Sequence, residues 1–377
     1  MSAVPFPVPA VMRPLPGISR ELVLPEQRPA EPPTGVCALL GVAGRGPLYA
    51  AVPLRRADEF AAVFGPAPEG SHLAAAVEGF FSCGGASCYA IRVEPADPDW
   101  LTRGLAALAP LADADLVAVP DLAAATPGRR LELQKELLDD CERSGARFAV
   151  LDSLPGASAA DVRAQRDGLQ SRFGALYFPW VRLADGQVVP PSGHVAGAYA
   201  ASDAARGVGA APANLELAGV FDLVPAPTPA ELADLSAAAV NPLRSLPGRG
   251  IRVWGARTLA GPDQPEWTAI GVCRLFLSLA RWLAATAPAL AFEPNDLTLW
   301  IRIRRQLTER LWRLWREGGL AGAAPDSAFY VRCDAGTNPP EVRDAGLVVT
   351  EIGLAPSVPA EFVVVRLVQQ DGRTTFA

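Results

Sequence analysis

Lysine is almost missing from this 377-residue chain: Lys135 is the only one, and every other basic residue is arginine. GC-rich codon usage accounts for that before any selection for arginine's bidentate chemistry. Histidine is nearly as scarce, with only His72 and His194, so the one close cysteine pair, Cys83 and Cys88, lacks the partners for a zinc cluster. The other cysteines, at 37, 141, 273 and 333, follow no framework spacing, so all six are expected as small apolar core residues of a reducing compartment. No positive excess exists: the net charge of −6 argues against general nucleic-acid binding, which needs a basic field. Nor is there an unbroken membrane-length apolar run. The most apolar window, Thr268 to Phe292, is interrupted by Arg274, Arg281 and Pro288 and is expected as a buried helix. Met1 to Pro9 carries no positive n-region, so no secretory signal is expected there, and no cofactor is implied.

What is present describes a globular chain. Half of its residues are hydrophobic and a fifth are charged, enough for two modest cores or one large one. Prolines at 5, 7, 9, 14, 16, 25, 29, 32 and 33 fix φ and remove donors, so residues 1–34 are expected as an extended arm. From Gly35 the pattern alternates. Strands are expected at 37–42, 87–93, 115–119, 148–152 and 176–181, and helices at 57–63, 72–81, 101–107, 129–143 and 159–172. Such alternation indicates an α/β layer, assigned to a domain spanning 35–230.

Residues 231–377 form the second expected domain, of α+β type. A short strand, Ile251 to Trp254, precedes a helix over 266–285, and a second helix is announced by Asn295-Asp296 and closed by Gly318-Gly319. In that second helix Trp300, Ile303, Leu307, Leu311 and Leu314 make a core-facing stripe. Arg302, Arg305, Glu309, Arg313 and Arg316 line another side. Such a charge row is ordinarily a solvated face, and the sharper alternative is contact with a negative partner. Trp254, Arg257, Trp267 and Trp300 are assigned to the core of this domain. Three strand-like runs follow at 328–333, 346–352 and 361–368. In the last, Phe362, Val364 and Val368 face one side and Val363, Val365 and Leu367 the other. A strand apolar on both faces must be covered twice, and at the terminus of an isolated subunit it would be an adhesive edge.

Enzymatic chemistry has thin support. Asp121 and Asp152 fall at strand ends, where α/β enzymes place reactive groups, but loops after any strand are polar. Ser192 and His194 could suggest a nucleophile and base, yet no Gly-x-Ser-x-Gly elbow surrounds the serine and His194 reads as a hydrogen-bonded packing residue. The glycine-rich run Gly41 to Gly46 lacks both the dinucleotide spacing and the lysine-serine ending of a phosphate loop. An α/β-fold hydrolase or nucleotide-binding enzyme is therefore the minor alternative.

Three ordered motifs carry a resemblance: Gly248-Arg249-Gly250-Ile251-Arg252-Val253-Trp254-Gly255-Ala256-Arg257-Thr258-Leu259, then Phe292-Glu293-Pro294-Asn295-Asp296, then Leu314 to Gly322. They are similar to the C-terminal domain of contractile tail sheath proteins, in their compact form. Further matches lie at Val42 to Pro47, at Gly79 to Val93 and across Phe178 to Asn214, a stretch rich in small residues expected as a loop packed against other backbone. At 201–203 the family's usual Arg-Thr-Asp is Ala-Ser-Asp here. The resemblance implies a structural, non-catalytic subunit with an extended arm, a central α/β domain and a C-terminal sheath domain completed by strand exchange between subunits. Pro16 and Gly17 would mark the exchanging arm, and Phe362, Val364, Val365 and Leu367 the receiving region. The implied partners are further copies in hexameric rings or a helical stack, an inner tube protein, and baseplate and cap proteins, without nucleic acid or membrane insertion. The implied place is cytoplasmic assembly into a phage tail-like particle, and a minor sheath paralogue near the cap or baseplate is the nearer alternative. Arg302, Arg305, Arg313 and Arg316 are assigned by hypothesis to the tube-facing surface.

Overall fold

The computed structural model describes residues 32–290, 294–355, 363–370 and 373–376. In chain order the first elements are β1 (Cys37–Gly41), β2 (Ala51–Leu54), α1 (Asp58–Phe64), α2 (Leu73–Ser82), β3 (Cys88–Arg92), α3 (Trp100–Ala106), β4 (Leu116–Ala118), α4 (Pro127–Ser144), β5 (Phe148–Asp152), α5 (Ala159–Asp167) and β6 (Gly174–Phe178). There follow β7 (Trp180–Leu183), β8 (Val188–Val189), α6 (Ser192–Arg206), β9 (Val220–Val224), α7 (Pro229–Ala237), β10 (Asn241–Leu246) and β11 (Gly250–Val253). The last part holds α8 (Ile270–Leu290), α9 (Leu297–Arg316), β12 (Phe329–Arg332), β13 (Val348–Leu354), β14 (Val363–Gln370) and β15 (Arg373–Phe376).

An eight-stranded sheet in the order β11-β10-β6-β5-β4-β1-β3-β2 organises the fold. Its inner pairs are parallel, and β2 and β11 close the two edges in antiparallel sense. β1, β4 and β6 are buried at every position, as strands covered on both faces must be. The strand order reverses at β1. With right-handed crossovers this puts α2 on one face and α3, α4 and α5 on the other. Pairing of β10 with β6 carries the layer to Val253, past the expected boundary at 230.

Three expectations need correction. The run 176–181 is two strands: β6 in the large sheet, and β7, which pairs with β8 and β9 in a small sheet of its own. The supposed loop within 178–214 contains the buried helix α6. Here Gly193 and Gly197 let its backbone lie directly on that of Ala76 and Phe80 in α2, so the close packing foreseen is helix on helix. The run at 361–368 is no chain-terminal edge, because β14 pairs with β13 on one side and with β15 on the other.

Candidate assembly interface

In a doubly wound sheet, ligands enter the crevice where the strand order reverses. That crevice, beside the end of β1, is plugged by Asp121. Its carboxylate accepts from the Val42 and His72 backbone N–H groups, each at 2.5 Å, and from the Ser71 hydroxyl at 3.2 Å. A side chain on Gly41 would strike this carboxylate. Burial pushes the Asp121 carboxyl above its ordinary range, with these hydrogen bonds opposing. Asp152, the other strand-end acid, accepts the Ser192 N–H at 2.8 Å and so binds the first turn of α6. Ser192 and His194 are both buried inside that helix, and among the described residues His194 Nδ1 has no hydrogen-bond partner. His194 is thus a packing residue whose Nδ1, contrary to expectation, is not hydrogen-bonded. Both strand-end acids hold backbone, and the serine and histidine lie beyond the reach of a dissolved substrate.

The α9 helix presents the expected surface. The Asp296 side chain accepts from the N–H groups of Thr298 and Leu299, and Asn295 accepts from the Trp300 indole at 2.8 Å while donating to the Leu347 carbonyl at 2.8 Å. Trp300, Ile303, Leu307 and Leu311 are buried and Leu314 is half-buried, so the predicted stripe is the inner face. Arg305, Glu309, Arg313 and Arg316 are exposed and Arg302 is half-buried. The sequence reading missed a second outer strip: Leu297, Ile301 and Trp312 are large, exposed apolar side chains beside the arginine row. The Arg316 guanidinium lies over the Trp312 ring at 4.9 Å, joining the strips. Their four- and eleven-residue spacing was visible, but the arginines drew attention from it. An apolar strip beside a basic one is a surface suited to a protein partner.

A four-stranded sheet, β12-β13-β14-β15, adjoins it. Of the expected exchange residues, Leu367 is buried and Val364 exposed, while Val365 lies on β14. Pro16, Gly17 and Phe362 lie outside the described residues. Among the described residues the sheet's free edges belong to β12 and β15. Trp267 and Trp300 are buried as assigned. Trp254 and Arg257 are not: Trp254 sits just past the edge strand β11, under the Arg244 guanidinium at 5.2 Å, and both residues are exposed.

A buried ionic node ties α8 to the large sheet. Arg274 donates to both oxygens of Asp203 on α6, at 2.8 and 2.6 Å, and to Asp115 beside β4 at 2.8 Å. Burial opposes its charge, but the two carboxylates outweigh that and hold the guanidinium above its usual range. Arg281, two turns further along α8, donates to the carbonyls of Ala112, Asp113 and Pro33 at 3.3, 3.0 and 2.6 Å. The only sequence signal was two arginines seven apart in an apolar helix, which sets them on one face.

The comparisons with known proteins agree with this architecture. The family described as the phage tail sheath protein central domain matches residues 96–259. The contracted helical sheath of the anti-feeding prophage is similar at 28% identity and a TM-score of 0.74, covering 93% of this chain and 97% of that one. The contracted sheath of an extracellular contractile injection system, PVC, gives 26% identity and a TM-score of 0.74, covering 96% and 99%. A chain of the anti-feeding prophage baseplate gives 28% and 0.73, covering 94% and 99%. No curated protein matches the sequence.

Proposed function

From the premise that the chain belongs to the contractile tail sheath family, we propose that it is the subunit of a sheath that encloses the inner tube of a phage tail-like injection system and contracts to drive that tube through a target envelope. The observation that carries this is the near-complete mutual coverage with the contracted sheaths of two such particles at 26–28% identity. The plugged crevice supports a structural rather than catalytic role, and the energy of contraction is then stored in subunit contacts during assembly.

In this reading the copies stack as hexameric rings or a helix, assembled in the cytoplasm, with baseplate and cap proteins at the ends. The outer strips of α9, with Arg302, Arg305, Arg313 and Arg316, face the tube. The arm through Pro16 and Gly17 adds a strand to the terminal sheet of a neighbour, in the region of Phe362, Val364, Val365 and Leu367. The edges left by β12 and β15 support such an addition.

Expression with and without the tube protein of the same particle, viewed by negative-stain electron microscopy, tests the proposal. Long, hollow, striated cylinders are expected, narrower when a tube is inside. Dispersed subunits in the presence of the tube would overturn it. The equal match to a baseplate chain favours one second reading, a minor ring near the baseplate, which a count of one ring of copies per purified particle would establish.

A further inference from the structure

Four residues at the entry of the folded body are each held by a different element. The Pro33 carbonyl accepts from Arg281 Nη2 on α8 at 2.6 Å. Gly35, at φ +76°, lies so close to α6 that a Cβ there would come within 2.6 Å of the Ala200 Cα. The Val36 N–H donates to Asp115 Oδ1 at 2.8 Å, while its carbonyl accepts from the Asp115 and Leu116 N–H groups, both at 3.1 Å. Cys37 then enters β1, between β3 and β4 in the sheet. The grips are themselves joined. Asp115 is fixed by Arg274, Arg274 is held by Asp203 of α6, and Arg281 also clasps the carbonyls of Ala112 and Asp113.

This density exceeds what starting a strand requires. A central parallel strand is already secured by the ladders on its two sides. Charge-assisted bonds inside a dry node are stronger than neutral ones and escape screening by salt. Arg281 is the member whose hydrogen bonds go to backbone carbonyls, with its Nη1 in only a longer ion pair with Asp115 Oδ2 at 3.9 Å, so it acts chiefly on chain position.

We infer that Pro33–Cys37 is a tension-bearing anchor, in which Arg281 is the positioning residue that passes load from the N-terminal arm to α8, α6 and the sheet. The inference rests on the sheath reading, in which the arm links neighbours and is pulled during contraction. Load arriving at Pro33 is divided between α8 through Arg281, α6 through Gly35 and the segment before β4 through Asp115. The strand β1 is thereby protected from being peeled out of the sheet.

Two variants test it. Arg281→Met keeps the stem and removes the donors; Gly35→Ala keeps every charge and forces the chain off α6. Hydrogen exchange on the full-length subunit should show amides 34–37 exchanging about tenfold faster or more in each variant, with β5 and β6 unchanged. Arg281→Lys, which retains one charged donor, should fall between. Cylinders of either variant should form and then break into short stacks on contraction, where the unaltered sheath stays continuous. Unchanged exchange at 34–37, or contracted sheaths as long as those of the unaltered protein, would overturn the anchor. If Arg281→Met speeds exchange throughout the body, Gly35→Ala decides on the same two readouts. Absence of cylinders from the unaltered chain would count against the sheath reading and leave the exchange result to judge the anchor by itself.

Discussion

The imidazole of His194 lies against Gly79, at which an added Cβ would collide with the ring, and among the described residues its Nδ1 has no hydrogen-bond partner. Burial pushes its pKa from 6.5 down to about 4. The unfolded chain takes up a proton as pH falls through 6.5, whereas the folded chain resists until about 4. Stability from this group is therefore complete above pH 6.5, lost progressively between 6.5 and 4, and flat below, a change of about 3 kcal/mol. His72, lowered by burial too, acts in the same direction, while Asp121, raised, acts in the other. Comparing His194→Leu with the unaltered protein isolates the one residue. Urea unfolding at pH 7 and pH 4 should show the variant gaining about 3 kcal/mol relative to the parent as pH falls. A pH-independent difference would refute this account. At this scale the sequence was legible where burial follows from pattern, as at Trp300 and Leu307, and not where it depends on strand order. Trp254 looked like core, but β11 is a sheet edge, so the chain leaves it with one side uncovered. Asp203 could not be picked out because its partner, Arg274, is 71 residues away.

The contact of α2 with α6 shows the same limit for whole elements. Proline and glycine around Pro190 to Gly197 resemble a turn-rich loop, and only spacing tells otherwise: Gly193 and Gly197 are four apart and share a helix face. That face meets Ala76 and Phe80 of α2, also four apart: a Cβ added at Gly193 would come within 2.3 Å of the Ala76 carbonyl oxygen, and one at Gly197 within 2.2 Å of that of Phe80. Alanine ordinarily stabilises an exposed helix relative to glycine by up to about 1 kcal/mol. At these positions the sign should reverse, since a methyl group would meet backbone that cannot swing aside. Gly193→Ala and Gly197→Ala should each cost about 1–3 kcal/mol in chemical denaturation, and Ala205→Gly, on the exposed side of the same helix, should cost about 1 kcal/mol or less. Stabilisation by either glycine replacement would mean that the helices have room to part. Strands covered on both faces were legible because their apolar runs are continuous, as at 37–41 and 148–152. The end of α5 at Asp167 and the final strand β15 were missed, since Gly168 stops the helix early and β15 is short and polar.

For the whole molecule, in the proposed sheath reading, the decisive quantity is how tightly α9 would hold the tube. A sheath that must release its tube needs a contact strong enough to assemble on and weak enough to give way. The apolar strip of Leu297, Ile301 and Trp312 supplies attraction insensitive to salt, and the arginine row supplies a part that salt screens over about 8–10 Å. On a chain of net charge −6, that row is also a local reversal of sign, which fixes the orientation of approach to an acidic surface. Arg305→Glu with Arg313→Glu should leave folding intact, because both side chains are exposed, and should sharply reduce co-assembly with the tube. Raising salt should weaken the unaltered extended sheath in the same direction but less completely, since the apolar strip remains. Contracted cylinders, free of the tube, should tolerate both changes. Normal co-assembly by the reversed variant, measured by co-sedimentation and electron microscopy at low salt, would remove α9 from the tube-facing surface.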